Sequence, residues 1–88
     1  MDLVIVTGMS GSGKSSTVKV LEDIGFFCID NMPPQLIPSF AAMCSENAEI
    51  TKVAIVTDIR GGAMFFKLGE VIAKLHIRGI DVKVLFLE

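Results

Sequence analysis

Gly8-Met9-Ser10-Gly11-Ser12-Gly13-Lys14-Ser15 follows directly on the apolar run Leu3-Val4-Ile5-Val6, and the chemistry written into that octet is anion binding. Its glycines let successive backbone amides face a phosphate with no Cβ in the way. A helix opening near Lys14 turns its unpaired amides toward the same oxygens. Lys14 then supplies a mobile positive charge for the β and γ phosphates, and Ser15 a hydroxyl for Mg²⁺. Glycine, four residues, glycine, lysine and serine between a strand and a helix is the pattern of a phosphate-gripping P-loop (Walker A), which predicts nucleoside triphosphate–Mg²⁺ binding. The expected phosphate-binding set is Gly8, Met9, Ser10, Gly11, Ser12, Gly13, Lys14, Ser15 and Ser16. Ser16 and Thr17 have a second reading, in which they cap or solvate the first helical turn. Phosphate recognition is visible in this pattern and base recognition is not, so ATP and GTP stand equal.

Two carboxylates complete the candidate chemistry. Asp58 closes the apolar run Val53-Ala54-Ile55-Val56-Thr57, where a strand end presents it as the second magnesium-side group, acting through a coordinated water. Its plainer reading is a surface aspartate. Asp30 closes Phe26-Phe27-Cys28-Ile29 and is placed to orient an acceptor, an attacking water or a metal-bound water. Asn31 beside it reads equally well as a turn former ahead of Pro33. The catalytic candidates are therefore Lys14, Asp58 and Asp30, with Ser15 and Asp58 on the metal. Arg60 reads either as a phosphate neutraliser or as a solvated loop residue. His76 sits on a helix away from the expected ligand edge and reads as a surface or half-buried histidine.

The elements that must carry these groups alternate. Residues 3–7 read as a buried strand, about 14–23 as a helix with Val18 and Leu21 inward, and Gly25 as its terminator. A second strand spans 26–29. Pro33 and Pro34 bar its continuation, and a helix is predicted from about 35 to 44 with Pro38 in its first turn, where a missing amide is tolerated. A third strand covers 53–57. Gly61 and Gly62 punctuate the next loop, and a third helix is predicted over 63–78 with Phe65, Leu68, Ile72 and Leu75 inward. Residues 82–87 form the last strand. Nearly continuous apolar strands between helices call for a parallel sheet covered on both faces. Right-handed crossovers then bring the P-loop, Asp30 and Asp58 to one sheet edge.

Composition bounds the rest. Eighty-eight residues, 51% hydrophobic and 20% charged, suit one folded domain with a thin core. A net charge of −2 with mixed signs leaves no footprint for a nucleic-acid backbone. No apolar stretch is long enough to span a membrane, and no basic-then-apolar leader opens the chain, so a cytoplasmic protein without membrane partners is expected. Two cysteines and one histidine suit buried thiols rather than a bridge or a zinc site. No helix follows Leu87-Glu88 to cover the last strand, which predicts a truncated domain.

With these residues placed, the wording around them is informative. The octet itself, Glu22-Asp23-Ile24-Gly25-Phe26-Phe27-Cys28-Ile29-Asp30-Asn31-Met32-Pro33-Pro34, Val53-Ala54-Ile55-Val56-Thr57-Asp58-Ile59-Arg60-Gly61 and Val84-Leu85-Phe86-Leu87-Glu88 resemble the N-terminal portion of the RapZ/YvcJ family of P-loop nucleotide-binding proteins. The second stretch is far more specific than the P-loop. The resemblance covers nearly all of the chain but only the opening part of a typical member. It implies residues 1–88 as the N-terminal part of a P-loop nucleotide-binding domain, in a kinase-like three-layer α/β/α fold with parallel strand order 2-3-1-4. It further implies ATP and GTP binding with hydrolysis by the intact protein, and for some relatives an RNA-binding adapter role carried largely by the C-terminal domain. Lys14 and Ser15 inherit the phosphate and magnesium roles, and Asp58 resembles the second acidic motif. Two other functions share these features. A small-molecule or nucleotide kinase would use the same donor site with an acceptor pocket, and the fragment alone would serve as a noncatalytic domain that self-associates through uncovered sheet surface.

Overall fold

The computed structural model describes residues 1–8, 13–58 and 61–87. The elements run β1 (Asp2–Gly8), α1 (Lys14–Asp23), β2 (Phe27–Ile29), a 3₁₀ turn (Pro34–Leu36), α2 (Ile37–Ser45), β3 (Lys52–Asp58), α3 (Gly62–Ile77) and β4 (Val82–Leu87). They form one four-stranded sheet in the order β2-β3-β1-β4, and every pairing is parallel. The α/β class, the parallel sheet and the strand order expected from the sequence are those of the structure. Among the described residues no helix is long and apolar enough to cross a membrane.

The pleat sorts the sheet residues into two layers. Leu3 and Ile5 of β1 and Val53 and Ile55 of β3 point to the face packed by α2 and α3, where they meet Ile37, Ala41, Cys44, Leu68, Val71 and Leu75 in one buried cluster. Val4, Val6, Ala54 and Val56 alternate to the other face, and α1 packs against β1, β2 and β3. No residue of α1 is fully buried. Its expected inward pair, Val18 and Leu21, is half-buried.

Two features of α2 and α3 depart from the sequence expectation. Pro33 and Pro34 do not merely precede α2. They lead into a separate 3₁₀ turn, so the α-helix starts at Ile37, with Pro38 in its first turn, where its absent amide leaves no helical bond unmade. On α3 the inward stripe is Leu68, Val71 and Leu75, with Ile72 half-buried, while Phe65 is exposed. The stripe is rotated because the core that α3 meets is centred on α2 and the middle strands. Phe65 instead lies toward β4, edge-on to Phe86 with ring centroids 6.5 Å apart. β4 is uncovered, as the sequence reading expected of the last strand: Val84, Leu85 and Phe86 are exposed.

Glycine ends α1 as the sequence predicts. Gly25 has φ 100°, its amide donates to the Glu22 carbonyl, and the Phe26 amide reaches back to Leu21 at 2.9 Å, the paired bonds of a Schellman motif. Lys52 reinforces this end from β3 by donating to the Ile24 carbonyl at 3.5 Å. A Cβ at Gly25 would meet nothing within 4 Å, so Gly25→Ala tests backbone conformation alone. It is expected to lower unfolding free energy by about 1–2 kcal/mol. Denaturant midpoints measure this, and an unchanged midpoint would show that α1 does not need the left-handed turn.

Candidate functional site

β1, β2 and β3 run parallel and end at one edge of the sheet, so Gly8, Asp30 and Asp58 meet there with the amino end of α1. Gly13 takes φ 87° and caps that end with no side-chain hydrogen bond. The first turn of α1 carries no acidic residue, so its positive end has no carboxylate of its own helix to satisfy it. The Thr17 hydroxyl donates to the Gly13 carbonyl at 3.4 Å, a bond back to the preceding turn that serves a carbonyl rather than one of the unpaired first-turn amides. Met9, Ser10, Gly11 and Ser12 of the expected phosphate-binding set, and Arg60, lie outside the described residues.

Gly13, Lys14, Ser15, Val18, Asp30, Val56 and Asp58 line one open cavity of about 550 Å³. Sequence positions 13 to 58 are thus gathered around a single space by the ends of β2 and β3 and the amino end of α1. Lys14 is its electrostatic centre. The ammonium lies 3.0 Å from Asp58 Oδ1 and donates to the Gly8 carbonyl at 3.3 Å. The lysine side chain is only 12% exposed and the aspartate 28%, so this is a partly desolvated pair, less screened than a surface contact. Ser16 is exposed on α1 and does not line the cavity.

Asp30 and Asn31 divide two tasks that the sequence left undecided between them. Asn31 takes φ 57°, and the next amide, Met32, donates to the Val56 carbonyl at 3.0 Å. The turn is therefore made by Asn31, whose side chain tolerates the left-handed region. Asp30 is exposed and lines the cavity. His76, on α3, lies away from this edge and is exposed.

A family model for the RapZ-like N-terminal domain matches residues 1–88. The chain belongs to the RapZ-like N-terminal domain family. A protein of Desulforamulus reducens is 55% identical to this RapZ-like domain over 87 residues, covering 98% of the chain. One from Acetivibrio thermocellus is 55% identical over 89 positions and one from Halothermothrix orenii 52% over 88, each covering the whole chain. All three relatives carry the name nucleotide-binding protein. The chain spans 29 to 31% of the length of these curated relatives.

Within the RapZ-like domain, Val18 and Val56 are cavity residues that the sequence reading did not assign to the site. The signal was present in spacing: Val18 is one helical turn beyond Lys14, and Val56 is two residues before Asp58 on the same strand face. The direct Lys14–Asp58 contact was also unforeseen, since both residues were assigned to absent groups rather than to each other.

Both thiols of the domain are free. Cys28 sits on β2 with Sγ 3.8 Å from the Val18 carbonyl. Burial pushes its ionisation above the usual thiol range, with the Glu22 carboxylate adding to the effect, and burial does the same to Cys44. The neutral thiol is therefore favoured at pH 7 to 8. Both cysteines are expected to react with a chromogenic disulfide reagent more slowly in the folded domain than in denaturant, because burial disfavours the thiolate and limits access to it. Equal rates would show that neither side chain is protected.

Proposed function

We propose that this domain binds a nucleoside triphosphate, ATP or GTP, with its phosphates at the amino end of α1, and that in a longer protein of this family the site hydrolyses the γ-phosphate. One observation carries the proposal. Lys14 is held at the carboxyl edge of a parallel sheet, in one cavity with Ser15, Asp30 and Asp58, beside a helix terminus whose N-cap residue, Gly13, supplies no side-chain hydrogen bond. That is the arrangement an anionic ligand completes. The names of the relatives support the same reading.

The residues present fit a magnesium ion. The Ser15 hydroxyl and Asp58 carboxylate are hard oxygen donors lining one cavity, and Mg²⁺ favours one or two such protein ligands together with substrate phosphates. When bound, the ion would neutralise charge on the phosphate oxygens. The protein's part is positional. Lys14 exchanges its contact with Asp58 for the β and γ phosphate oxygens, the α1 amides hold the phosphates in place, and Asp30 accepts a hydrogen bond from the attacking water at the cavity mouth. The walls supplied by Val18 and Val56 limit water around the Lys14 ammonium and so strengthen its attraction for phosphate.

Titration calorimetry of ATP and GTP against residues 1–88, with and without Mg²⁺, tests the proposal. Saturable binding of at least one nucleotide at one site, strengthened by Mg²⁺, is the expected outcome. Absence of binding by both, at protein concentrations that detect millimolar affinity, would overturn it. Free-phosphate release by the longer protein, without a phosphorylated small molecule, separates hydrolysis from kinase action.

A further inference from the structure

We propose that Asn31 is a positioning residue for the reaction: its left-handed turn lets Asp30 face the cavity while Met32 packs into the core on the opposite side of the sheet. The inference rests on the reading of Asp30 as the acceptor of a hydrogen bond from the attacking water. Asn31 itself is exposed and is not one of the residues lining the cavity.

The faces follow from register. β2 pairs with β3 as Phe27 with Val53, Cys28 with Ala54 and Ile29 with Ile55. Phe27 and Ile29 thus share the face of α2 and α3 with Val53 and Ile55, and Cys28 shares the α1 face with Ala54. Continued without a break, this alternation would put both Asp30 and Met32 on the α1 face. Asp30 obeys it, lining the cavity with Val18 and Val56. Met32 does not, and packs instead against the buried cluster that holds Val53, Ile55 and Ile37. The hydrogen bonds record the same slip. In unbroken parallel register the amide that reaches the Val56 carbonyl would be that of Asn31, yet it is that of Met32, at 3.0 Å. One additional residue has been taken up, as in a β-bulge, and a bulge next to a site re-aims a side chain. Asn31 takes it up at φ 57°, and among the described residues no other non-glycine has positive φ.

The two sides of this bulge are not held equally. Downstream, Met32 has its amide bond and its core contact, and Pro34 is buried. Upstream, the Asp30 side chain is exposed and has no hydrogen bond or ion pair among the described residues. Lys14, by contrast, is anchored by Gly8 and Asp58. The aim of the Asp30 carboxylate is therefore set by its backbone. Asparagine and glycine tolerate the left-handed region, and a β-branched residue does not. A residue that cannot hold the turn must give up one side of it. The weaker side is Asp30, so its carboxylate swings away from the cavity while Met32 stays in place.

The test is steady-state release of free phosphate from ATP and GTP with Mg²⁺ by the longer protein that carries this domain. The parent is compared with Asn31→Gly, Asn31→Val, Asp30→Asn and the double variant of Asp30→Asn with Asn31→Val. Asn31→Val should lower kcat at least ~10-fold with KM within ~threefold, because misplacing a group by about 1 Å costs on the order of 100-fold in the chemical step rather than in binding. Asn31→Gly keeps the turn and should stay within ~threefold of the parent in both constants. Asp30→Asn should lose at least as much kcat as Asn31→Val. The double variant should lose no more than Asp30→Asn alone, since a residue that acts through Asp30 then has nothing left to position. Should Asn31→Val lose its circular dichroism signal, Asn31→Ala carries the same comparison with a smaller loss. Equal losses in the glycine and valine variants, a loss confined to KM, or losses that add in the double variant would each overturn the proposal and leave hydrolysis standing. Absence of phosphate release by the parent overturns the hydrolysis reading, and the role of Asn31 with it.

Discussion

Replacing Lys14 with alanine is expected to weaken nucleoside triphosphate binding by ~30- to 1,000-fold, or about 2–4 kcal/mol, the loss expected when one member of a partly desolvated, hydrogen-bonded charge pair is truncated. The size follows from where the ammonium sits. It is 12% exposed, anchored to Gly8 and Asp58, and so presented to the cavity without the full entropy cost of ordering a free lysine. Lys14→Met separates charge from packing, because it keeps an unbranched apolar stem of similar length. It should lose as much affinity as alanine. Calorimetric titration in saturating Mg²⁺ gives both numbers. Affinity within threefold of the parent domain in the alanine variant would mean that the phosphates bind elsewhere, and a loss confined to alanine would mean that Lys14 acts through its stem.

The same residue shows what a sequence conveys and where it stops. The octet at 8–15 names the chemistry because each residue type has a local reason to be there, and α1 begins at Lys14 and ends at Asp23 as its own stop signals dictate. β4 was equally legible, from an apolar run broken only by Lys83. Strand order was legible only through resemblance, since alternation of strands and helices does not say which strands are neighbours. Orientation on α3 was misjudged because periodicity admits two adjacent stripes, sharing Leu68 and Leu75 and differing in Phe65 or Val71. Burial of Val71 follows from where α2 sits, and that is not a local property. The Lys14–Asp58 contact lies further still from the sequence. Forty-four positions separate the partners, and only the pairing of Gly8 with Asp58 in the β1–β3 register brings that strand end beneath the helix.

That register makes Asp58 a competitor for the lysine as well as a candidate metal-side group, and the two roles predict opposite signs for one substitution. Without Mg²⁺, the Asp58 carboxylate holds the Lys14 ammonium at 3.0 Å and repels a triphosphate entering the same cavity. Asp58→Asn removes both effects while keeping nearly the same shape. Metal-free nucleotide should then bind ~3- to 10-fold more tightly, the scale of one charge contact near 4 Å in a largely aqueous setting, about 1 kcal/mol. With Mg²⁺ the sign reverses. The amide is a poorer partner for the hard cation or its coordinated water, so affinity should fall ~10- to 100-fold, the range observed when groups that support a bound metal are lost. The enhancement that Mg²⁺ confers on nucleotide binding is thus expected to shrink by at least ~30-fold in the variant, as the ratio of two Kd values measured in excess Mg²⁺ and in chelator. An unchanged ratio would remove Asp58 from the metal side of the site. A metal-free affinity that falls instead would show that Asp58 aims the Lys14 ammonium at the phosphates rather than withholding it, because then the carboxylate's hold on the lysine side chain must outweigh its repulsion of the ligand.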